Sequence, residues 1–169
     1  MARNELLLPA SPLFIWVSLV LALVANLVPL GRQPAVPDLF GIVFFFWCLH
    51  QPRYVGVALG FVAGIVLDVN AGSILGQHSL CYALLAYLAS LVDKRLPLFG
   101  LALQSVQVLP LFFIAHVLVG GVRLVSGGTP PGWSFLLAPL FQALLWPLVS
   151  WLLLMPQRRP PDRDKNRPL

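Results

Sequence analysis

Gly60–Leu80 reads GFVAGIVLDVNAGSILGQHSL, an apolar run that carries one carboxylate, Asp68, and then breaks at Gly72 and Gly76. A carboxylate at the centre of a bilayer costs roughly 3 kcal/mol even on lenient insertion scales. An acid in such a run therefore needs a partner or a purpose. The two glycines bracket a turn, where the missing Cβ permits positive φ or a close backbone approach. The stretch thus predicts a hydrophobic helix ending beside a polar turn, followed by a second helix.

The rest of the chain fits that reading. Of 169 residues, 59% are hydrophobic and 10% charged, with a mean hydropathy of +0.86. Soluble domains carry about 25% charged residues, so the composition is that of an integral membrane protein. Arg158, Arg159, Arg163, Lys165 and Arg167 crowd the last twelve positions, leaving six basic and four acidic residues in the body. The sequence pI near 9.9 reads as the excess of Lys and Arg on one side of a membrane. A nucleic-acid footprint would need basic residues clustered on a folded face, and none is present. Cys48 and Cys81 have no CxxC or metal-ligand spacing and read as small apolar packing residues. Leu13–Leu30 is too long for a signal-peptide core and lacks a small-residue cleavage site, so it reads as a retained first helix.

Charge, Pro and Gly clusters divide the chain into six spans: Pro12–Val28, Asp38–His50, Tyr54–Val69, Gly76–Val92, Leu98–Val125 and Trp133–Met155. They predict an all-α integral membrane protein, a six-transmembrane-helix bundle. A single domain over 1–155 is followed by a basic, Pro-rich cytoplasmic tail at 156–169. With six spans, nine basic residues share the side of the termini: Arg3, Arg53, Lys94, Arg95 and the five of the tail. Arg32 and Arg123 fall on the other, so the bias predicts both termini inside. Trp16, Trp47, Trp133 and Trp151 are expected in an interfacial belt. Trp146, before Pro147, should lie deeper and mark a bend, as should Pro110 in the fifth helix.

The second and third spans are shorter than the ~20 residues of a straight crossing. At ~1.5 Å per residue from the QPR turn, Asp38 and Asp68 fall about 18 and 21 Å along their helices. Both stop short of the outer surface of a ~30 Å core, on what a tight turn makes antiparallel neighbours. His116, His78, Arg32 and Arg123 gather toward the same half. Asn26, Gln104, Gln107 and Gln142 must face the bundle or water. The cluster admits two readings. The acids and bases can neutralise one another and pin helix ends, or they can line a pocket for a partner's side chain or a small polar molecule. Metal binding lacks a spacing such as HxxxH. Gly56, Gly60 and Gly64 form a small-residue ridge for close helix packing, within the bundle or against a partner. GxSxG, HExxH and phosphate-cradling loops are absent from the sequence, so no enzyme and no cofactor is expected.

Pro37–Leu91 carries a Pro-Asp opening of the second helix and G-F-x-x-G-x-x-x-D on the third. G-x-x-L-G-x-H-x-L then leads into a helix ending in A-Y-L. This pattern resembles the bacterial rod shape-determining protein MreD family, with which chain length, six spans and a basic tail also agree. The resemblance transfers to Pro37, Asp38, Gly60, Gly64, Asp68, Gly72, Leu75, Gly76 and His78. It implies a non-enzymatic subunit of the inner-membrane machinery for lateral peptidoglycan synthesis. Its expected partners are MreC foremost, then MreB, RodZ, RodA and a class B penicillin-binding protein, in contact with membrane lipid and without nucleic acid. It also implies an organisation similar to the substrate-binding subunits of energy-coupling-factor transporters. The alternative function is accordingly a transporter-like subunit binding a small polar molecule or a lipid-linked cell-wall precursor. Asp38, Asp68, Gly60, Gly64, Gly72, Gly76, His78, His116 and Arg123 are the candidate partner or pocket residues.

Overall fold

The computed structural model describes residues 10–27, 37–128 and 132–157, apart from the Trp133 side chain. Arg3, Arg32 and the basic tail lie outside the described residues. Among those described there are six α-helices and no strand: α1 Pro12–Leu27, α2 Leu39–His50, α3 Val57–Ala71, α4 Gln77–Val92, α5 Leu101–Val125 and α6 Ala138–Leu154. Short 3-10 turns at Leu96–Leu98 and Trp133–Leu137 precede α5 and α6, so both helices start later than their apolar runs. Pro97 and the Gly100 cap explain the late start of α5, and Pro139, which has no N–H to donate to a preceding turn, sits in the first turn of α6.

α2 lies at the centre. Nine of its twelve residues, including Phe44, Phe45, Phe46 and Trp47, are buried. A helix apolar on every side must be surrounded, and α2 packs against α1, α4 and α6. The others pair in succession, α3 on α4, α4 on α5 and α5 on α6, while α1 also touches α3. The expected side-by-side pairing of α2 and α3 is thus corrected: α3 takes α4 as its principal neighbour. The non-helical Gln51–Gly56 turn is long enough to swing α3 outward. Contact with α2 persists where the Phe44 ring reaches the position a Gly60 Cβ would occupy.

The outside is as apolar as the inside. Leu140, Leu144, Leu148 and Leu152 form an exposed i, i+4 stripe on α6, and Leu13, Val17, Val20 and Val24, spaced by three or four, form another on α1. Gln104, Gln142, Asp68, Ser79 and Ser150 point inward. A large apolar exterior around buried polar groups suits lipid rather than water. By length and composition α5, with 25 residues, and the 24-residue segment Ser134–Gln157 can cross a membrane; the other four helices run 12–16 residues.

Tryptophans divide between the two environments. Trp16 and Trp151 are exposed, as an interfacial belt requires. Trp47 is a correction: it is fully buried and donates its indole N–H to Ser18 Oγ at 2.8 Å. Trp146 lies deep, among Phe45, Phe46 and Phe112, and donates to Gln104 Oε1 at 3.1 Å.

Candidate functional site: two carboxylate joints

Asp68 belongs to the helix end that it stabilises. Gly72 follows α3 in the left-handed conformation, φ +60°. Its N–H reaches the Val69 carbonyl at 3.3 Å, and Ser73 N–H reaches the Asp68 carbonyl at 3.0 Å. These are the paired bonds of a Schellman stop, which satisfy carbonyls that the helix leaves open. The side chain then bridges to the next helix. Ser73 Oγ donates to Oδ1 at 2.8 Å and Gly76 N–H to Oδ2 at 2.8 Å. His78 N–H is shared between the two oxygens at 3.1 and 3.3 Å, and His78 Nδ1 lies 2.6 Å from Oδ1. Gly76, at φ +98°, opens α4 with no side chain of its own to cap it. A carboxylate borrowed from α3 therefore fills the N-terminal cap of α4, where free N–H groups and the helix dipole favour negative charge. Asp68 is fully buried, and its lone pairs are occupied from within the chain.

Asp38 builds the second joint. It is the N-cap of α2, accepting from Gly41 N–H at 2.8 Å rather than lying within the helix. Asn26 of α1 donates its amide to Asp38 Oδ1 and accepts Leu39 N–H at 3.1 Å. Tyr82 of α4 donates its hydroxyl to Oδ2 at 2.8 Å, and Gln142 of α6 reaches the Asp38 carbonyl at 3.3 Å. One aspartate thus ties four helices. Tyr82 and His78 are one turn apart on α4 with rings 6.4 Å from each other, so α4 links the two joints.

Among the described residues, the groups that reach the two carboxylates are amides, hydroxyls and an imidazole. His116 is half-buried, contacts the Phe112 carbonyl at 3.1 Å and leans on Phe135. Asp38 and His78 are near enough to act on it electrostatically. Arg123 is exposed in the last turn of α5, the favourable end of a helix for a cation. Gly60 and Gly64 face inward: a Cβ on Gly64 would meet the backbone of His78 and Ser79. Among the described residues no group of three or more His, Cys, Asp or Glu could hold a metal. Sequence reasoning missed Tyr82 and Ser73 as site residues. Their signals were an i, i+4 spacing from His78 and a hydroxyl directly after the helix-stopping Gly72.

Tyr82→Phe tests the Asp38 joint. It removes a buried donor to a carboxylate, so the expected loss is about 2 kcal/mol of stability. A fall in Tm of several degrees in detergent would register it; an unchanged Tm would contradict the geometry.

An all-helical set of described residues with an apolar exterior and two helices long enough to cross a bilayer points to a helical membrane protein. The chain belongs to the rod shape-determining protein MreD family, whose sequence pattern matches residues 7–155. It is 30% identical over 136 residues to the rod shape-determining protein MreD of Haemophilus influenzae, covering 79% of this chain and 84% of that one. No solved structure matches it. Membership gives it a role in cell shape, in a family of membrane proteins not known as enzymes.

Proposed function

We propose that the chain is a non-enzymatic inner-membrane subunit of the elongation machinery, docking a partner on the α3–α4 turn. MreC is the first candidate, with MreB, RodZ, RodA and a class B penicillin-binding protein as further members of the assembly. In this reading the chain crosses six times with both termini cytoplasmic, organised like the binding subunits of energy-coupling-factor transporters. The nine-to-two division of Lys and Arg supports that orientation.

One observation carries the proposal. Asp68 holds a short turn rigidly from both ends, yet Ile74 and Leu75 within it stand 39% and 68% exposed. A rigid turn presenting two aliphatic side chains loses little entropy on binding, which is how a small contact gains affinity. The alternative, a small polar ligand at the acids, is less well supported because both carboxylates already have donors.

The test is co-purification of MreC with an Ile74→Ser/Leu75→Ser variant. Both side chains are exposed, so Tm should hold while MreC recovery falls about tenfold, the equivalent of ~1.4 kcal/mol. Unchanged recovery with unchanged rod shape would overturn the proposal.

A further inference from the structure

We infer that the Gln51–Gly56 turn and the outward face of α3 form a binding site for an anionic phospholipid. The inference rests on the membrane-spanning reading, which sets this turn at a membrane surface.

The turn is compact. Gln51 N–H reaches Trp47 O at 2.7 Å, while Tyr54 and Val55 N–H both return to the Gln51 carbonyl at 3.0 and 3.2 Å. Val55 is buried and anchors it, leaving Arg53 and Tyr54 exposed. Beside them lies a shallow, open groove with Arg53, Tyr54, Val57 and Val62 among its walls. Arg53 brings the groove its positive charge, and no described carboxylate bonds it.

From the turn, exposed apolar side chains run up α3 over about half of its circumference: Val57, Phe61, Val62, Val66 and Val69. Val57 to Val69 covers about 18 Å at helical rise, against ~15 Å for one leaflet of the hydrocarbon core. A cation at the base of a leaflet-long apolar surface matches a phospholipid, with its phosphate at Arg53 and an acyl chain over Val62, Val66 and Val69. Lys94 and Arg95, both exposed, follow α4 at the same end of the bundle, because α3 and α4 are consecutive and packed together. They add positive potential that favours an anionic headgroup over a zwitterionic one.

A partner helix fits this face less well. Transmembrane helices pack closely through small residues, and Gly60 and Gly64 face into the bundle, away from Val62, Val66 and Val69. The outward face offers β-branched and aromatic side chains, a rough surface that flexible acyl chains can fill.

The purified full chain in detergent should gain thermal stability from phosphatidylglycerol and little from phosphatidylcholine. Arg53→Gln should weaken the phosphatidylglycerol midpoint about fivefold, as one interfacial base near an anionic surface would. Its lipid-free Tm and its MreC recovery should stay at wild-type values. Equal stabilisation by the two lipids, or an unshifted midpoint in Arg53→Gln, would overturn the inference. So would inorganic phosphate competing at the same concentration as the lipid, which would define a simple phosphate site. If Arg53→Gln lowers MreC recovery but leaves the lipid midpoint unchanged, the face is a protein interface and the lipid assignment fails. Failure of the docking proposal alone appears only in the Ile74/Leu75 variant.

Discussion

Asp68→Ala is expected to destabilise the protein by about 3–5 kcal/mol, because it removes the acceptor of several part-buried donors in the turn and α4 at once. Ser73 Oγ, Gly76 N–H, His78 N–H and the His78 ring would all lose their acceptor. In lipid there is no water to replace it. For a chain of this size the loss corresponds to a drop on the order of 10 °C in Tm. Asp68→Asn keeps one carbonyl oxygen but turns an NH2 toward a backbone N–H. Its loss should be smaller, about 1–3 kcal/mol. Thermal unfolding of the three proteins in one detergent gives the order wild type, Asn, Ala. Equal Tm for wild type and Ala would show that the carboxylate is not the cap of α4. The same substitution should also release Ile74 and Leu75 from their fixed presentation, so MreC recovery should fall with Tm. In the Ile74/Leu75 variant the two should separate.

That dependence explains which parts of the fold were legible in the chain. Six apolar runs gave six helices with ends within a few residues, because Pro and Gly break helices for local reasons that need no tertiary knowledge. Asp68 was visible as an anomaly of burial, and Gly72 and Gly76 as turn residues. What the sequence could not give was direction. Pairing with arginines was one of two readings open for the acids, since only charge and spacing can be counted along a chain. Among the described residues their donors include the backbone N–H groups of Gly41, Gly76 and His78, which every residue but proline owns and which leave no mark in composition. Neighbour choice was equally hidden. A short connection between α2 and α3 suggested adjacency, but the all-round apolarity of α2 demanded a central position, and centrality left α3 to pack on α4. Trp47 was misassigned to the interface for a related reason: Ser18, its hydrogen-bond partner, lies 29 residues away in sequence.

The two joints give both acids a structural role in a membrane protein. Association between helices in lipid lacks the hydrophobic drive available in water, so packing and interhelical hydrogen bonds must position them. Asp38 gathers α1, α2, α4 and α6, and Asp68 fastens α3 to α4. α5 is joined to α6 by the bond from Trp146 Nε1 to Gln104 Oε1. A bundle tied in this way offers a fixed surface, as the proposed docking of a partner requires.

Gly64→Leu should be the most damaging change away from the acids, and Gly64→Ala should already be costly. A Cβ at Gly64 would fall against Ser79 Cα and N and the His78 carbonyl carbon, all backbone atoms that cannot rotate aside. Relief requires α3 and α4 to separate. Separation would stretch the bonds from His78 and Gly76 to Asp68, so steric and polar losses couple rather than add. Overpacking alone costs about 1–3 kcal/mol; for the leucine the coupled loss should exceed that range and reduce the yield of folded protein. Gly56 supplies the control. It lies two turns earlier on the same ridge, its backbone is extended, and nothing stands within 4 Å of an added Cβ. Gly56→Ser should be neutral or stabilise by a few tenths of a kcal/mol, since serine can cap α3. Comparing yield and Tm for Gly64→Ala, Gly64→Leu and Gly56→Ser separates contact from composition. Equal behaviour at positions 56 and 64 would mean that α3 and α4 do not touch where the geometry places them. A collapse at 64 alone makes that glycine the gauge of their spacing.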